Sequence, residues 1–285
     1  MSKQIDQLIT DALAIEAEEA KDAGALGYMA RGLVQATLPH SETSDSVFIR
    51  TNGNFTFSIS NAQGKLPYGP VPRLLLAWLA TEAVTTQSRE LELGNNLSSF
   101  MRELDMVPTG GRWGNITRLK EQTKRLFGSV IQCNHSGVGV PDDYQLLPVI
   151  SKARLWWEPK NAGQSTLFKS TVKLSEELYE EILSNPVPVD MRALTALKGS
   201  SMALDIYCWL TYRMSYLRKP TNIPWEGLQA QFGSNYSDDP QGRRNFKKKF
   251  LLQLKKVLVV YPEAKVGEGV SGLLVRPSKT HIPKL

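Results

Sequence analysis

Along residues 242–261, GRRNFKKKFLLQLKKVLVVY, apolar and basic positions follow two superposed patterns. Phe246, Phe250, Leu254 and Val257 recur at helical spacing, which predicts a helix with one buried stripe. At about 100° per residue, Arg244, Asn245, Lys248 and Lys255 point away from that stripe, with Lys249 and Lys256 on its flank. Leu251 and Leu252 interrupt the polar face. From 257 to 261 the run turns apolar and mostly β-branched, which predicts a buried strand. A helix followed by a strand is the order of a recognition helix leading into a wing. The alternative is a solvated basic face, the usual role of a charge run.

The same patterning organises the rest of the chain. Residues 4–14 place Ile5, Leu8, Ile9, Ala12 and Leu13 on one side of a short helix, but Glu16 and Glu19 fall back on that side. With the Gly/Ala-rich stretch and the SETSDS run behind it, residues 1–45 read as a loosely attached, mobile acidic arm. In SVFIRTNGNFTFSIS, Asn52 and Gly53 divide two alternating β-prone runs, a hairpin signal. Helices are predicted over 71–86, 95–104 and 115–127, then a strand at 130–133. Strands near 145–157 and 166–173 flank a turn at 158–163 and make a large β-hairpin. Ser175 caps a helix over 176–183, and the Asn-Pro-Val-Pro run from Asn185 ends it and sets a domain boundary. Helices at 201–217 and 224–232 precede the opening stretch, and strands at 264–266 and 272–276 follow it. The expected organisation is therefore α+β: an arm at 1–45 and two tandem winged-helix domains at 46–185 and 186–285.

The two halves match at one offset. Trp78, Leu79, Leu97, Arg112, Leu119 and Leu126 each fall 131 residues before Trp209, Leu210, Leu228, Arg243, Phe250 and Val257. Arg118, Lys124 and Arg125 likewise precede Lys249, Lys255 and Lys256, so the basic face recurs. The stripe recurs only by half, because Asn115 and Thr123 stand where Phe246 and Leu254 need apolar partners. Amphipathic helices share a period but need not share one offset over several elements, which favours a duplicated unit.

Composition sharpens this picture. With 41% apolar and 22% charged residues over 285, the chain has the make-up of a soluble globular protein. The net charge of +6 is uneven: residues 1–65 hold eight acids and five bases, and the remainder twenty acids and twenty-nine bases. A positive body points to a polyanionic partner. No apolar run is long enough to span a bilayer and no signal peptide opens the chain, so no membrane partner and a cytoplasmic setting are expected. Cys133 and Cys208 sit in or beside apolar runs and read as core residues.

Candidate chemistry follows from residue types. Arg reads guanine edges, Asn can read adenine, and Lys neutralises phosphate. The DNA-contact candidates are Arg243, Arg244, Asn245, Lys248, Lys249, Lys255 and Lys256 in the second copy, and Arg112, Arg118, Lys124 and Arg125 in the first. Glu121 shares a face with Arg118 and Arg125, whereas its counterpart is Leu252, so base readout is expected mainly from the second copy. The first is left a weaker DNA contact or a dimer surface. His40, His135 and His281 are far apart, two distant cysteines make no zinc motif, and Lys198-Gly199-Ser200 reverses the order of a phosphate loop. No catalytic residue, metal or cofactor is therefore expected. Trp156 and Trp157 offer rings for base stacking or for the core.

The blocks LPYGPVPRLLLAWLATEAV, SSFMRELDMVPTGGRWGNITRLKEQ, ARLWWEPKN, NPVPVDMRAL, ALDIYCWLTYRMS, IPWEGLQAQFG and FKKKFLLQLKKVLVVYPEA make residues 65–285 resemble the plasmid-encoded RepA replication initiators. Residues 1–64 carry no such resemblance. It implies a protein with two winged-helix domains that binds repeated sites, often called iterons, in double-stranded DNA at a plasmid origin. It also implies help in opening the duplex and recruitment of host replication proteins such as the host initiator and helicase. Many members are monomers at the origin and dimers when repressing their own gene, so a homodimer is among the implied partners. The rival readings are a transcriptional repressor of the same fold and an adaptor that binds only proteins.

Overall fold

The computed structural model describes residues 2–35, 37–94, 96–137, 140–157, 169–233 and 236–283. The chain opens with α1 (Ser2–Ala17), β1 (Leu26–Ala30), α2 (Arg31–Gln35) and a hairpin of β2 (Val47–Asn52) and β3 (Phe55–Asn61). Asn52 lies opposite Phe55, so the turn is Gly53-Asn54, with Gly53 at φ +59, as a two-residue turn with glycine first requires. Next come α3 (Pro70–Thr86), β4 (Glu90–Glu92), α4 (Leu97–Glu103), α5 (Asn115–Phe127), β5 (Ser129–Gly137), β6 (Val140–Pro148), β7 (Ile150–Arg154), β8 (Thr171–Leu174) and α6 (Glu176–Ser184). The remainder is β9 (Pro186–Asp190), α7 (Met191–Leu197), α8 (Ser201–Tyr216), β10 (Thr221–Pro224), α9 (Trp225–Phe232), α10 (Pro240–Val260), β11 (Val266–Glu268) and β12 (Gly272–Val275).

Two units of one topology emerge. In the first, α3, β4, α4 and α5 are followed by β7 and β8, and the sheet runs β4-β8-β7. In the second, α8, β10, α9 and α10 are followed by β11 and β12, and the sheet runs β10-β12-β11. Helix, strand, two helices and a strand pair whose last strand takes the centre is a winged helix. The first unit also inserts β5 and β6, which continue the β2-β3 hairpin into a four-stranded sheet. The residues matched at the common offset hold matched places: Trp78 and Trp209, Leu119 and Phe250, and Leu126 and Val257 are all buried. Trp78 meets Phe100 edge-on, and Trp209 meets Phe232 in the same way.

Helix α3 is apolar almost all round because it faces two cores. Leu75, Trp78 and Leu79 join the core of the first unit, and Leu74 and Ala77 join that of the second. At the seam, Arg73 of α3 meets Asp205 of α8. The Arg73 Nε donates to Asp205 Oδ1 at 2.7 Å and Nη2 to Oδ2 at 2.8 Å, while the remaining donors reach the carbonyls of Leu38, Pro39 and Gly69. His40 Nε2 lies 2.8 Å from the same carboxylate.

Several expectations are corrected. The described residues among 1–45 are built into the fold instead of forming a loose arm. Leu8, Ala12 and Ile15 of α1 pack into the core of the second unit, where α1 lies against α10 and α7. β1 pairs antiparallel with β9, Leu26 opposite Asp190 and Ala30 opposite Pro186. Arg192 donates to the carbonyls of Ala14 and Glu18, fixing the end of α1. The apolar side of the predicted short helix thus finds a partner through contacts distant in sequence. Asn185 ends α6 and Pro186 to Pro188 lie within strand β9, and the two cores divide near there, with Ile182 in one and Val187 in the other. Residues 257–261 are not a strand: α10 runs on to Val260, because Val257 and Val260 extend the stripe of Phe246, Phe250 and Leu254 into the core, and burial outweighs β propensity. The long strand predicted over 145–157 is two strands in different sheets, parted after Pro148, which has no N–H to continue a ladder. β7 and β8 do pair, while the turn predicted at 158–163 lies outside the described residues.

Candidate nucleic-acid interface

Helix α10 holds the recognition position of the second winged helix. Pro240 opens it with a preset φ, and the Asp239 carboxylate accepts from Gly242 N at 2.7 Å, a bond that holds that carboxyl below its usual range. The packed stripe fixes the helix's rotation, and so decides what faces outward. Arg243, Arg244, Asn245, Lys248, Lys249, Lys255 and Lys256 are all exposed. Arg244, Lys248 and Lys255 fall within about 40° of arc and span about 16 Å of helix, dimensions that suit a major groove.

Pairing separates these cations. Arg243 lies 3.7 Å from Asp238, and Asn245 accepts from Gln241. Lys247, which the sequence did not single out as a contact, bonds Glu268 at 2.6 Å and lies over Trp225, tying the helix to β11 of the wing. Arg244, Lys248, Lys249, Lys255 and Lys256 have no carboxylate partner among the described residues. Leu252, 52% exposed, breaks this basic surface as its sequence position indicated.

The first unit is thinner in free charge. Arg112 is exposed in the turn before α5, and Arg118 and Lys124 are exposed along the helix. Arg125 is not available: it is 8% exposed, donates to Glu42 Oε1 at 2.7 Å and lies over the Tyr68 ring. Its assignment as a DNA contact is therefore corrected to a structural tie between α5 and the segment ahead of α3. The reason is long-range: Glu42 and Tyr68 come from the segment ahead of α3 and close over Arg125, whereas Lys256 is exposed. Lys120 is also engaged, donating to the Trp157 carbonyl at 2.8 Å. Of the tryptophan pair, Trp157 is buried against Phe100 and Trp156 is exposed.

The sequence reading missed Trp113, which is 87% exposed beside Arg112. The signal was the PTGGRWG run itself, an aromatic residue set between glycines in a turn, where no core exists to receive it.

The remaining chemistry is structural. Cys133 and Cys208 are buried and free, and burial pushes the Cys133 thiol up to about 12 and Cys208 higher still. His40 meets Asp205, His281 meets Tyr207, and His135 packs on Phe55, in three separate places. Among the described residues no group of three His, Cys, Asp or Glu could hold a metal, and no helix is long and apolar enough to cross a membrane.

Two recognition helices of unequal basicity on one α+β scaffold define a tandem winged-helix protein. The sequence profile described as "Plasmid encoded RepA protein" matches residues 66–226. The chain belongs to this RepA family of plasmid replication initiators. A crystal structure of RctB domains 2–3 is similar over 86% of this chain and 96% of that one, at 12% identity and a TM-score of 0.52. A selenomethionine derivative of the same two domains matches over 87% and 95%, at 11% identity and a TM-score of 0.54. At such identity the likeness concerns the fold. No curated protein sequence matches. The family match ends within α9, so the reading of α10 rests on its own geometry.

Proposed function

We propose that this RepA-family protein initiates plasmid replication by binding repeated double-stranded sites at the origin, with α10 as its principal reader. The observation that carries the reading is the set of five unpaired exposed cations on a helix in the recognition position, buttressed to its wing by Lys247 and Glu268. Lys neutralises phosphate and Arg reads guanine edges, so the surface suits both positioning and readout. The α5 helix, with Arg112, Arg118 and Lys124, adds a weaker contact. In this reading the protein works in the bacterial cytoplasm, helps open the origin, and recruits the host initiator and helicase. It neither nicks DNA nor hydrolyses ATP.

Gel-shift titration of origin fragments at several salt concentrations tests the reading. If α10 neutralises five phosphates, log affinity falls with log salt at a slope of about −4.5 from this helix alone. Binding without sequence preference, or without salt dependence, would overturn the reading, and no complex at all would favour a protein-binding adaptor. A plasmid carrying the candidate origin should replicate only when the protein is supplied; replication without it would point to a repressor.

A further inference from the structure

We propose that the turn over residues 107–114 is a base-stacking contact for an unpaired DNA strand, with Trp113 as the stacking ring. The proposal rests on the reading above that the chain acts on DNA.

Trp113 stands almost wholly in water, yet the turn that carries it is tightly built. Asn115 N donates to Thr109 Oγ1 at 2.9 Å, Asn115 Nδ2 to the Val107 carbonyl at 3.0 Å, and Thr117 Oγ1 to the Gly111 carbonyl at 2.9 Å. Gly114 N and Ile116 N bond the carbonyls of Gly111 and Thr109. Gly111 sits at φ +88, and a Cβ on Gly114 would meet the carbonyl oxygens of Thr109 and Gly110 at 2.3 Å, so the fold of this turn depends on glycine. The ring is thus held outward by a rigid support, and its exposure is not the slack of a loose loop. An indole so placed leaves a large apolar face unburied, which residues of this type rarely do without a partner.

The surroundings select the partner. The Arg112 guanidinium lies 5.1 Å from the ring centroid and backs one face, leaving the other open. Arg118 and Arg102 are exposed nearby in sequence, while the acids flanking the turn are occupied: Glu103 accepts from the Trp78 indole and Asp105 pairs with Lys198. A ring with one free face beside the unpaired Arg112 guanidinium is the composition of a single-strand platform, where bases stack and cations follow the backbone. In a duplex each base face is covered by its neighbour and only edges are offered. The duplication points the same way: the common offset sets Arg112 against Arg243 and Trp113 against Arg244, so the first unit keeps one cation and replaces the other with a ring.

The test compares full-length wild type, Trp113→Ala and Trp113→Phe by fluorescence anisotropy on single-stranded oligothymidylate and on a duplex origin fragment. Trp113→Ala should lose about five- to hundredfold in single-strand affinity, Trp113→Phe should keep most of it, and duplex affinity should stay within about twofold. Thermal melting of both variants should match wild type, since the ring supports no core. Equal single-strand affinity of Trp113→Ala and wild type overturns the proposal, as does an equal loss on both DNAs. Unchanged DNA affinities with loss of replication would assign the ring to a protein partner and overturn it too. If wild type binds duplex but not single strands, this inference fails and the initiator reading stands; if duplex binding is absent, both fail.

Discussion

Arg125 and Lys256 occupy matching positions in the two units, yet one is buried on Glu42 and the other is free in solvent. Their charge was legible in the sequence; their surroundings were not, because Glu42 lies 83 residues from Arg125. The two roles predict opposite phenotypes. Arg125→Ala should cost about 1–3 kcal/mol in denaturant unfolding and leave duplex affinity nearly unchanged. Arg118→Glu with Lys124→Glu should instead weaken DNA binding with little effect on stability. His40 and His281 give a pH signature. Burial holds both imidazoles below their ordinary range, for His40 against the pull of Asp205. Groups with depressed pKa contribute full stability above the unfolded value of about 6.5 and lose it as pH falls through the folded value. The melting temperature should therefore be level above about pH 7 and fall toward pH 5, with a shallower fall in His40→Gln; a flat profile in wild type would refute this.

At the scale of elements, strongly periodic segments were readable: α5 spans 115–127 as predicted, and Ser175 caps α6 by accepting from Leu178 N. The misreadings have two causes. β4 and β10 are too short to show a pattern, and the β-branched end of α10 is helical because its burial partners lie elsewhere in the chain. The rotation of α10 depends on its stripe, so Phe250→Ala should cost about 3–5 kcal/mol and loosen the wing with it. The inequality of the units predicts that Lys248→Glu with Lys249→Glu abolishes specific binding, while the paired change at Arg118 and Lys124 weakens it less.

Across the whole molecule, the two winged helices are joined through their first helices. Burial raises the Asp205 carboxyl, but Arg73 and His40 overrule it and leave it below its usual range, an ion pair satisfied on every side. Removing Arg73 would strand a buried carboxylate, so Arg73→Ala should cost about 3–5 kcal/mol and uncouple the units in hydrogen exchange at α3 and α8. The duplication and the positive body were legible from one offset and one charge count. The seating of residues 1–45 on α10 and β9 was not, since each contact lies far along the chain. The central claim is that α10 reads the origin, and footprinting on the parent plasmid tests it most directly. Wild type should protect repeated sites, the Lys248→Glu/Lys249→Glu protein none, and the Arg118→Glu/Lys124→Glu protein the same sites at higher concentration. Equal loss in both variants, or protection that survives the change on α10, would contradict the account.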